Sequence, residues 1–386
     1  MKKIFKKYLI NSLKKNSKIQ IKKSSLILLL GAIVVFVWLT IIYLIKGPTW
    51  IMVPSDLGYT YLLNGLNLLF GVELGVLIHP AITVSYFYAF IIFLYYSLFG
   101  TGELQSHVIS NAELYSFIIN NLITLGIALS CYFLGNCVYK ITNKISYSFL
   151  AIISTLAIPV RILPIVFGAP ESFLLIFVPI IAGLCFLKAN NSCPPNLFVF
   201  ASGIICAISI GAKFISVPII LLPFFVSKGF KEKLEFLLIF LLSLSITFMP
   251  IYLNPQHLNT FKFAMEGLTG FISIERNSFQ SENILLQMVL YFFDTFSDIK
   301  VFFAFFISQL SIFPFVRPKL FQKYPDLLKI SIFNSKLLIS LLLSIIFIGI
   351  RPKSHYFLIF ISFEILGIIL SIYLLRRNIE IESGNY

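Results

Sequence analysis

Charged residues are scarce in this chain of 386 residues. Asp, Glu, Lys and Arg together make up 12%, about half the roughly 25% of a typical soluble domain. There is also no internal repeat, no low-complexity tract and no stretch polar enough to form a soluble domain. Hydrophobic residues make up 58% and the mean hydropathy is +0.94. Because apolar runs of about 20 residues recur along the chain, we predict an all-α, polytopic transmembrane helix bundle.

Cysteine and histidine are also few, with five and four residues respectively. The cysteines form no CxxC motif and do not pair with histidine in the sequence. This spacing excludes a disulfide framework and a zinc site, and it favours small buried apolar side chains. The cysteines are Cys131, Cys137, Cys185, Cys193 and Cys206.

Acids are absent from the first 23 residues, which hold nine of the thirty Lys and Arg residues. Such a run beside a first apolar span is typical of a cytoplasmic anchor under the positive-inside rule, and it attracts anionic lipid. We therefore assign 1–25 as a basic cytoplasmic segment. The net charge of +14 indicates a lipid bilayer as the partner and no nucleic acid.

Hydropathy predicts about ten spans and leaves one ambiguous segment, 81–99, which is apolar but rich in Tyr and Phe. If 81–99 crossed the membrane, most loops carrying Lys and Arg would face outward, against the positive-inside rule. We therefore predict a pair of re-entrant or interfacial juxtamembrane helices on the extracytoplasmic side. The predicted spans are 26–45, 114–134, 147–166, 172–188, 197–212, 214–227, 234–253, 301–316, 337–350 and 356–375.

This topology puts both termini in the cytoplasm. It gives a transmembrane domain over 26–378 and a cytoplasmic tail over 379–386. Its outer loops are 46–113, 254–300 and 351–356. Charged residues close to a bilayer are costly, so those beside these loops are functional candidates.

An acid facing water can deprotonate an acceptor hydroxyl or hold a divalent cation. Lys and Arg at the lipid surface can hold a phosphate. Together these groups suit transfer of a chemical group from a lipid-phosphate carrier. The candidates are Asp56, Glu73, His79, Glu171, Lys213, Arg351, His355 and Tyr356.

The order of short motifs along the chain carries a resemblance. "PSDLGY" follows the first span, "HPAI" comes next, "PE" precedes the fourth span, then "SIGAKF", and "RPKSHYFLIF" precedes the last span. This order resembles the GT-C glycosyltransferases, in particular bacterial members of the dolichyl-phosphate-mannose mannosyltransferase and lipid A aminoarabinose transferase type. The resemblance covers roughly 26–375.

The resemblance implies roles for individual residues. Asp56 matches the catalytic acid of the first outer loop, although the family's usual Asp-Glu pair is here "SD", which leaves metal binding open. Glu171 matches a second acid, where Asp is more usual, and Lys213 matches a lysine after a Gly-rich helix. The substrate- and phosphate-binding residues implied are His79, Lys213, Arg351, His355 and Tyr356, with His79-Pro80-Ala81 one proline short of the family's His-Pro-Pro.

Each candidate also has a purely structural interpretation. Asp56 can cap the helix that follows it, and His79 before a proline can be a turn residue. Lys213 can extend to the lipid headgroups, and Arg351 can anchor the chain at the interface. Glu73 reads as a solvated loop acid.

The expected function is an integral-membrane glycosyltransferase in the bacterial cytoplasmic membrane, with its active site on the extracytoplasmic side. It would transfer a sugar from a polyprenyl-phosphate-linked donor to a cell-envelope acceptor, namely a polysaccharide, lipid or protein. Asp56 would act as the base or orient the acceptor or a metal. A polysaccharide polymerase or ligase, and a transporter or flippase without bond-forming chemistry, remain alternatives.

Overall fold

The computed structural model describes most of the chain. The described residues are 23–46, 57–72, 74–75, 81–153, 168–253, 324–349 and 361–383. Every regular element within them is helical and none is a strand, which confirms the predicted all-α class. The predicted span 301–316 and the outer loop 254–300 lie outside the described residues.

Twelve α-helices and one 3-10 helix are described. They are α1 (Lys23–Lys46), α2 (Leu57–Leu69), α3 (Ile82–Phe99), α4 (Leu104–Ser110), α5 (Ala112–Thr142), α6 (Ile145–Ile152), α7 (Pro170–Ala189), α8 (Pro195–Ala212), the 3-10 helix (Phe214–Ile220), α9 (Leu221–Val226), α10 (Gly229–Leu253), α11 (Pro325–Gly349) and α12 (Ile361–Glu382).

Six of the described helices are long and apolar enough to cross a membrane by length and composition: α1, α3, α5, α7, α8 and α10. The protein is therefore membrane-embedded. Five of the six overlap predicted spans, and the sixth, α3, is the ambiguous segment 81–99. Many apolar side chains on these helices are exposed in the protein, as expected of surfaces that face lipid. The five cysteines are all buried, as the sequence predicted.

The predicted span 214–227 forms two short pieces rather than one helix. The 3-10 helix contains Pro218, and α9 contains Pro223. Each proline lacks the N–H that a continuous α-helix would need at its position, which explains the break. The helices α1, α5, α7, α8, α10 and α11 are longer than the spans predicted for them, because polar residues extend them beyond the hydrophobic stretch. Of the predicted span 147–166, residues 154–166 lie outside the described residues.

Close contacts fix the directions of the central helices. Gly126 of α5 faces Ile176 of α7, and further along Gly183 of α7 faces Phe133. The helices α5 and α7 are therefore parallel. Tyr43 near the end of α1 contacts Phe117 near the start of α5, with 6.2 Å between ring centroids, so α1 is antiparallel to both.

The same contacts sort the charges between two ends of the bundle. We call "the basic end" the one at which α5 and α7 finish and α8, α10 and α11 begin. Most of the described basic residues gather there: Lys140, Lys144, Lys188, Lys228, Lys231, Lys233, Lys329, Lys336, Arg376 and Arg377. The opposite end holds the start of α5, the start of α7 and the finish of α8.

Helices α2 and α3 pack against each other and against the opposite end. Thr83 near the start of α3 donates a hydrogen bond to the carbonyl of Ile208 in α8 at 3.0 Å. Near the other end of α3, Tyr95 contacts Tyr115 of α5, with 5.1 Å between ring centroids. Between them, Tyr88 donates to the carbonyl of Gly168 at 3.3 Å. The whole of α3 is thus in contact with one end of the bundle.

Candidate functional site

A buried ion pair joins two residues that the sequence had singled out. The ammonium of Lys213 donates a hydrogen bond to Oε1 of Glu171. The two residues are 42 positions apart in the chain. Only 6% of Glu171 and 3% of Lys213 is exposed. The pair lies at the opposite end from the basic groups, where α7 begins and α8 finishes.

Local structure explains how each partner reaches this position. Pro170 opens α7 at its first position, where its missing N–H costs nothing. Glu171 follows in the first turn, where the positive end of the helix dipole stabilises a carboxylate. Lys213 terminates α8 in an extended conformation, with φ −153° and ψ 126°. Its backbone N–H still donates a hydrogen bond to the carbonyl of Ser209 at 2.9 Å. The Lys213 side chain therefore projects from the last turn of α8.

Aromatic side chains from α2 and α3 cover this end. Tyr61 lies close enough to Glu171 to interact electrostatically with it. Its ring packs against that of Tyr88, with centroids 6.3 Å apart, and both tyrosines are 1% exposed. The ring of Tyr61 therefore lies beside the buried carboxylate of the ion pair.

Lys213 does not extend to the headgroups, which was the structural alternative for it. A lysine that did so would leave its ammonium in water, whereas here the ammonium contacts a buried carboxylate. Burial of both charges makes each dependent on the other, because an uncompensated charge in the interior destabilises a protein by about 3–5 kcal/mol.

A second acid lies at the same end, and the sequence reasoning missed it. Tyr59 of α2 donates a hydrogen bond through its hydroxyl to Oε1 of Glu113 in the first turn of α5. The sequence signal for Glu113 was weak. This residue immediately precedes the predicted span 114–134, and an acid at that position normally only marks the boundary of a span. Two acids, one lysine and several tyrosines therefore converge at this end.

The remaining predicted site residues lie outside the described residues. They are Asp56, His79, Arg351, His355 and Tyr356, together with Glu73. Their predicted roles stay predictions. Asp56 directly precedes α2, the helix whose residues Tyr59 and Tyr61 approach the two acids.

A divalent cation also stays a possibility raised by the sequence alone. Among the described residues, no group of three or more His, Cys, Asp or Glu side chains could hold a metal ion. Two acids of this end are instead paired: Glu171 with an ammonium and Glu113 with a phenol.

The arrangement can do two things chemically. The ammonium of Lys213 can neutralise an anion that replaces Glu171 as its partner or binds beside it. The carboxylates can accept protons from hydroxyl groups. The GT-C resemblance rests on the short motifs of the sequence. In comparisons with protein-family models, with curated proteins and with solved structures, nothing matches this chain.

Proposed function

We propose that the protein is an integral-membrane glycosyltransferase that takes a sugar from a polyprenyl-phosphate-linked donor and transfers it to a cell-envelope acceptor. The observation that carries this proposal is the buried Glu171–Lys213 pair at the end of the bundle away from the basic groups. A buried ionisable pair at a membrane face is costly to keep and is a functional candidate for that reason.

The charge distribution supports an orientation for this site. Lys and Arg are enriched on cytoplasmic loops, so we infer that the basic end faces the cytoplasm of a bacterial cell. The ion pair then faces the extracytoplasmic side. Both termini are cytoplasmic in this orientation. The basic segment 1–25 precedes α1, and α12 carries Arg376 and Arg377 near its C-terminal end, at the basic end.

The contacts of α3 support an interfacial position for it. A helix of 18 residues is about 27 Å long, nearly the roughly 30 Å of a bilayer core. If α3 crossed, its ends would contact opposite ends of its neighbours. Thr83 and Tyr95 instead both contact the end that holds the ion pair. We infer that α2 and α3 are juxtamembrane helices, which favours the topology with about ten spans.

Such helices would form a cavity between lipid and water, where a lipid-linked donor can meet a polar acceptor. In the proposed reaction the acceptor hydroxyl attacks the anomeric carbon and the bond from that carbon to the phosphate oxygen breaks. The hydroxyl proton passes to the Asp56 carboxylate, and polyprenyl phosphate leaves with one more negative charge. Direct attack inverts the anomeric centre.

Lys213 and Arg351 would balance the charge that develops on the leaving phosphate, with His79, His355 and Tyr356 contributing to donor binding. Glu171 would hold the Lys213 ammonium in position within the bundle. Stabilising developing charge by a fixed cation in a water-poor site is usually the largest single contribution to such catalysis.

The test is transfer in isolated membranes, with a panel of radiolabelled sugars on undecaprenyl phosphate. We expect the wild type to move label into a cell-envelope acceptor and Asp56→Asn to lose transfer by at least about 10²-fold, the usual contribution of a general base. Asp326→Asn is the matched control, because Asp326 is exposed at the basic end and bonds Lys329, so it should retain full activity.

The same assay separates the alternatives. A transporter or flippase would move the labelled lipid across the bilayer and leave its glycosidic bond intact. A polymerase or ligase would transfer preassembled oligosaccharide and not single sugars. Full activity in Asp56→Asn would refute the role proposed for Asp56.

A further inference from the structure

The basic end contains a cavity that the proposed reaction does not use. It has a volume of about 450 Å³ and lies between the turn joining α7 to α8 and the start of α10. Its lining includes Lys188, Ser192, Cys193, Lys228 and Glu232. Lysines and hydroxyl-bearing or amide-bearing groups dominate its polar surface, so its chemistry suits an anion.

The one acid of this lining is already satisfied. Glu232 accepts a hydrogen bond on Oε1 from the Lys188 ammonium and another on Oε2 from the backbone N–H of Lys228, both at 2.7 Å. Lys188 is itself 3% exposed. The buried lysine and the acid therefore neutralise each other, and they form a rigid floor for the cavity.

Three further lysines lie at the basic end; we call Lys228, Lys233 and Lys336 the lysine cluster. Lys228 lines the cavity, and its charge also acts on Glu232. The Lys228 ammonium donates to the amide oxygen of Asn191 at 2.6 Å. The Lys233 ammonium lies over the ring of Phe224, 4.9 Å from its centroid. Among the described residues, no carboxylate forms a salt bridge with any member of the lysine cluster.

The members of the lysine cluster also repel one another. Lys336 is half-buried, and the positive charges of Lys233 and Lys228 both act on it. Lys228 lies in the turn before α10, Lys233 on α10 and Lys336 on α11. Like charges held together in this way are unfavourable without a counter-ion. An anion bound among them would remove this repulsion and gain the attraction of all three.

We propose that the lysine cluster and the adjoining cavity bind the phosphate of an anionic phospholipid headgroup. A basic pocket between membrane helices at the cytoplasmic side is the recognised setting for such lipids. The surface beyond the cluster favours a lipid over free phosphate, because α10 continues from it with exposed apolar side chains. Phe230 is 80% and Leu238 58% exposed, so acyl chains can lie along this helix.

The test uses the purified full-length chain in detergent and measures its midpoint of thermal unfolding as phosphatidylglycerol is added. Phosphatidylcholine and inorganic phosphate are the parallel additions. We expect phosphatidylglycerol alone to stabilise the protein. The triple variant Lys228→Gln, Lys233→Gln, Lys336→Gln should weaken this apparent affinity on the order of a hundredfold, from roughly fivefold per lysine.

The matched control removes three lysines of the same end that lie outside the cluster: Lys144→Gln, Lys231→Gln and Lys329→Gln. It changes the net charge equally and should shift the affinity less than about a tenth as much. In phosphatidylcholine the cluster variant should be at least as stable as the wild type, since its repulsion is gone; this separates lost binding from lost folding.

Three results would overturn the proposal. Equal weakening by both triple variants would mean that bulk charge and not this site attracts the lipid. Equal stabilisation by phosphatidylcholine would exclude headgroup recognition. Stabilisation by inorganic phosphate alone to the same extent would assign the site to a free phosphate compound instead of a lipid.

Discussion

At the scale of single residues, the most consequential contact is that between Glu171 and Lys213. Each is a charged residue at the end of an apolar run, a position at which charged side chains usually face water. Their burial under Tyr61 and Tyr88 makes the pair a unit, so its members can be tested only together. Removing one member should destabilise the protein much more than removing both, because only the single substitution leaves a buried charge uncompensated.

We expect Lys213→Met to lower the free energy of unfolding by about 3–5 kcal/mol, since it removes the ammonium that Glu171 contacts in the interior. The double variant Glu171→Gln with Lys213→Met should recover most of this loss. Thermal unfolding in detergent measures both. A double variant as unstable as the single one would contradict the prediction.

The exposed pair Lys231–Glu235, with 3.9 Å between nitrogen and oxygen, supplies the control. Lys231→Met should change stability by less than about 1 kcal/mol, as is usual for surface pairs. Under the proposed function, the double variant of the buried pair folds and yet loses transfer, whereas the control variant keeps it. If the double variant transferred sugar at the wild-type rate, the pair would have only a structural role.

At the scale of elements, the covering of the site depends on the close approach of α2 to α3. Gly65 of α2 makes it possible: a Cβ at this position would lie 2.8 Å from the backbone nitrogen of Ala89. Backbone atoms cannot move aside as a flexible side chain can. The glycine thus sets how tightly the two helices pack, and with it the positions of Tyr61 and Tyr88 beside the ion pair.

Gly65→Ala should therefore destabilise the protein by about 1–3 kcal/mol, the usual cost of overpacking, against a gain of up to about 1 kcal/mol from helix propensity. The change in thermal midpoint in detergent reports the difference. Gly75→Ala is the control, because among the described residues a Cβ there meets only Asn64 Oδ1, at an ordinary 3.8 Å. Equal midpoints for the two variants would show that α2 and α3 are not tightly coupled.

Element-scale reasoning from sequence succeeded where hydropathy alone decides. The spans that became α1, α5, α7, α8 and α10 were predictable because a run of about 20 apolar residues can only cross a bilayer or pack in a core. The prediction from hydropathy was less successful at 214–227. The apolar run there is long enough for one helix, but Pro218 and Pro223 divide it. The boundaries of α5 and α11 also extend past their apolar runs, because hydrogen bonding continues a helix into polar residues.

At the scale of the whole molecule, the two ends differ in charge, and this asymmetry predicts the orientation. In a variant whose five cysteines are replaced by alanine, Lys231→Cys should resist a membrane-impermeant maleimide in intact cells and react after lysis. Glu103→Cys should react in intact cells. Both positions are exposed in the protein, so a difference between them reports sidedness and not burial.

The opposite labelling pattern would reverse the orientation and place the ion pair on the cytoplasmic side. There it could not take part in sugar transfer to an extracytoplasmic acceptor. Labelling of both residues in intact cells would indicate leaky cells or a wrong topology. A third variant, Asn196→Cys, distinguishes these outcomes, because Asn196 is exposed at the start of α8 at the basic end. Reaction of that third residue only after lysis would retain the assigned basic end.

Local patterns were sufficient to assign the class of this protein, because membrane insertion depends on the length of an apolar run, its hydropathy and the charges flanking it. They also identified Glu171 and Lys213 as candidates, since a charge beside a bilayer is conspicuous in any apolar chain. The folded arrangement was needed to show that these two meet, and that Lys188 meets Glu232 44 residues away. Such contacts depend on which helices are neighbours and in which direction they run, and packing of whole surfaces determines that, not any local pattern.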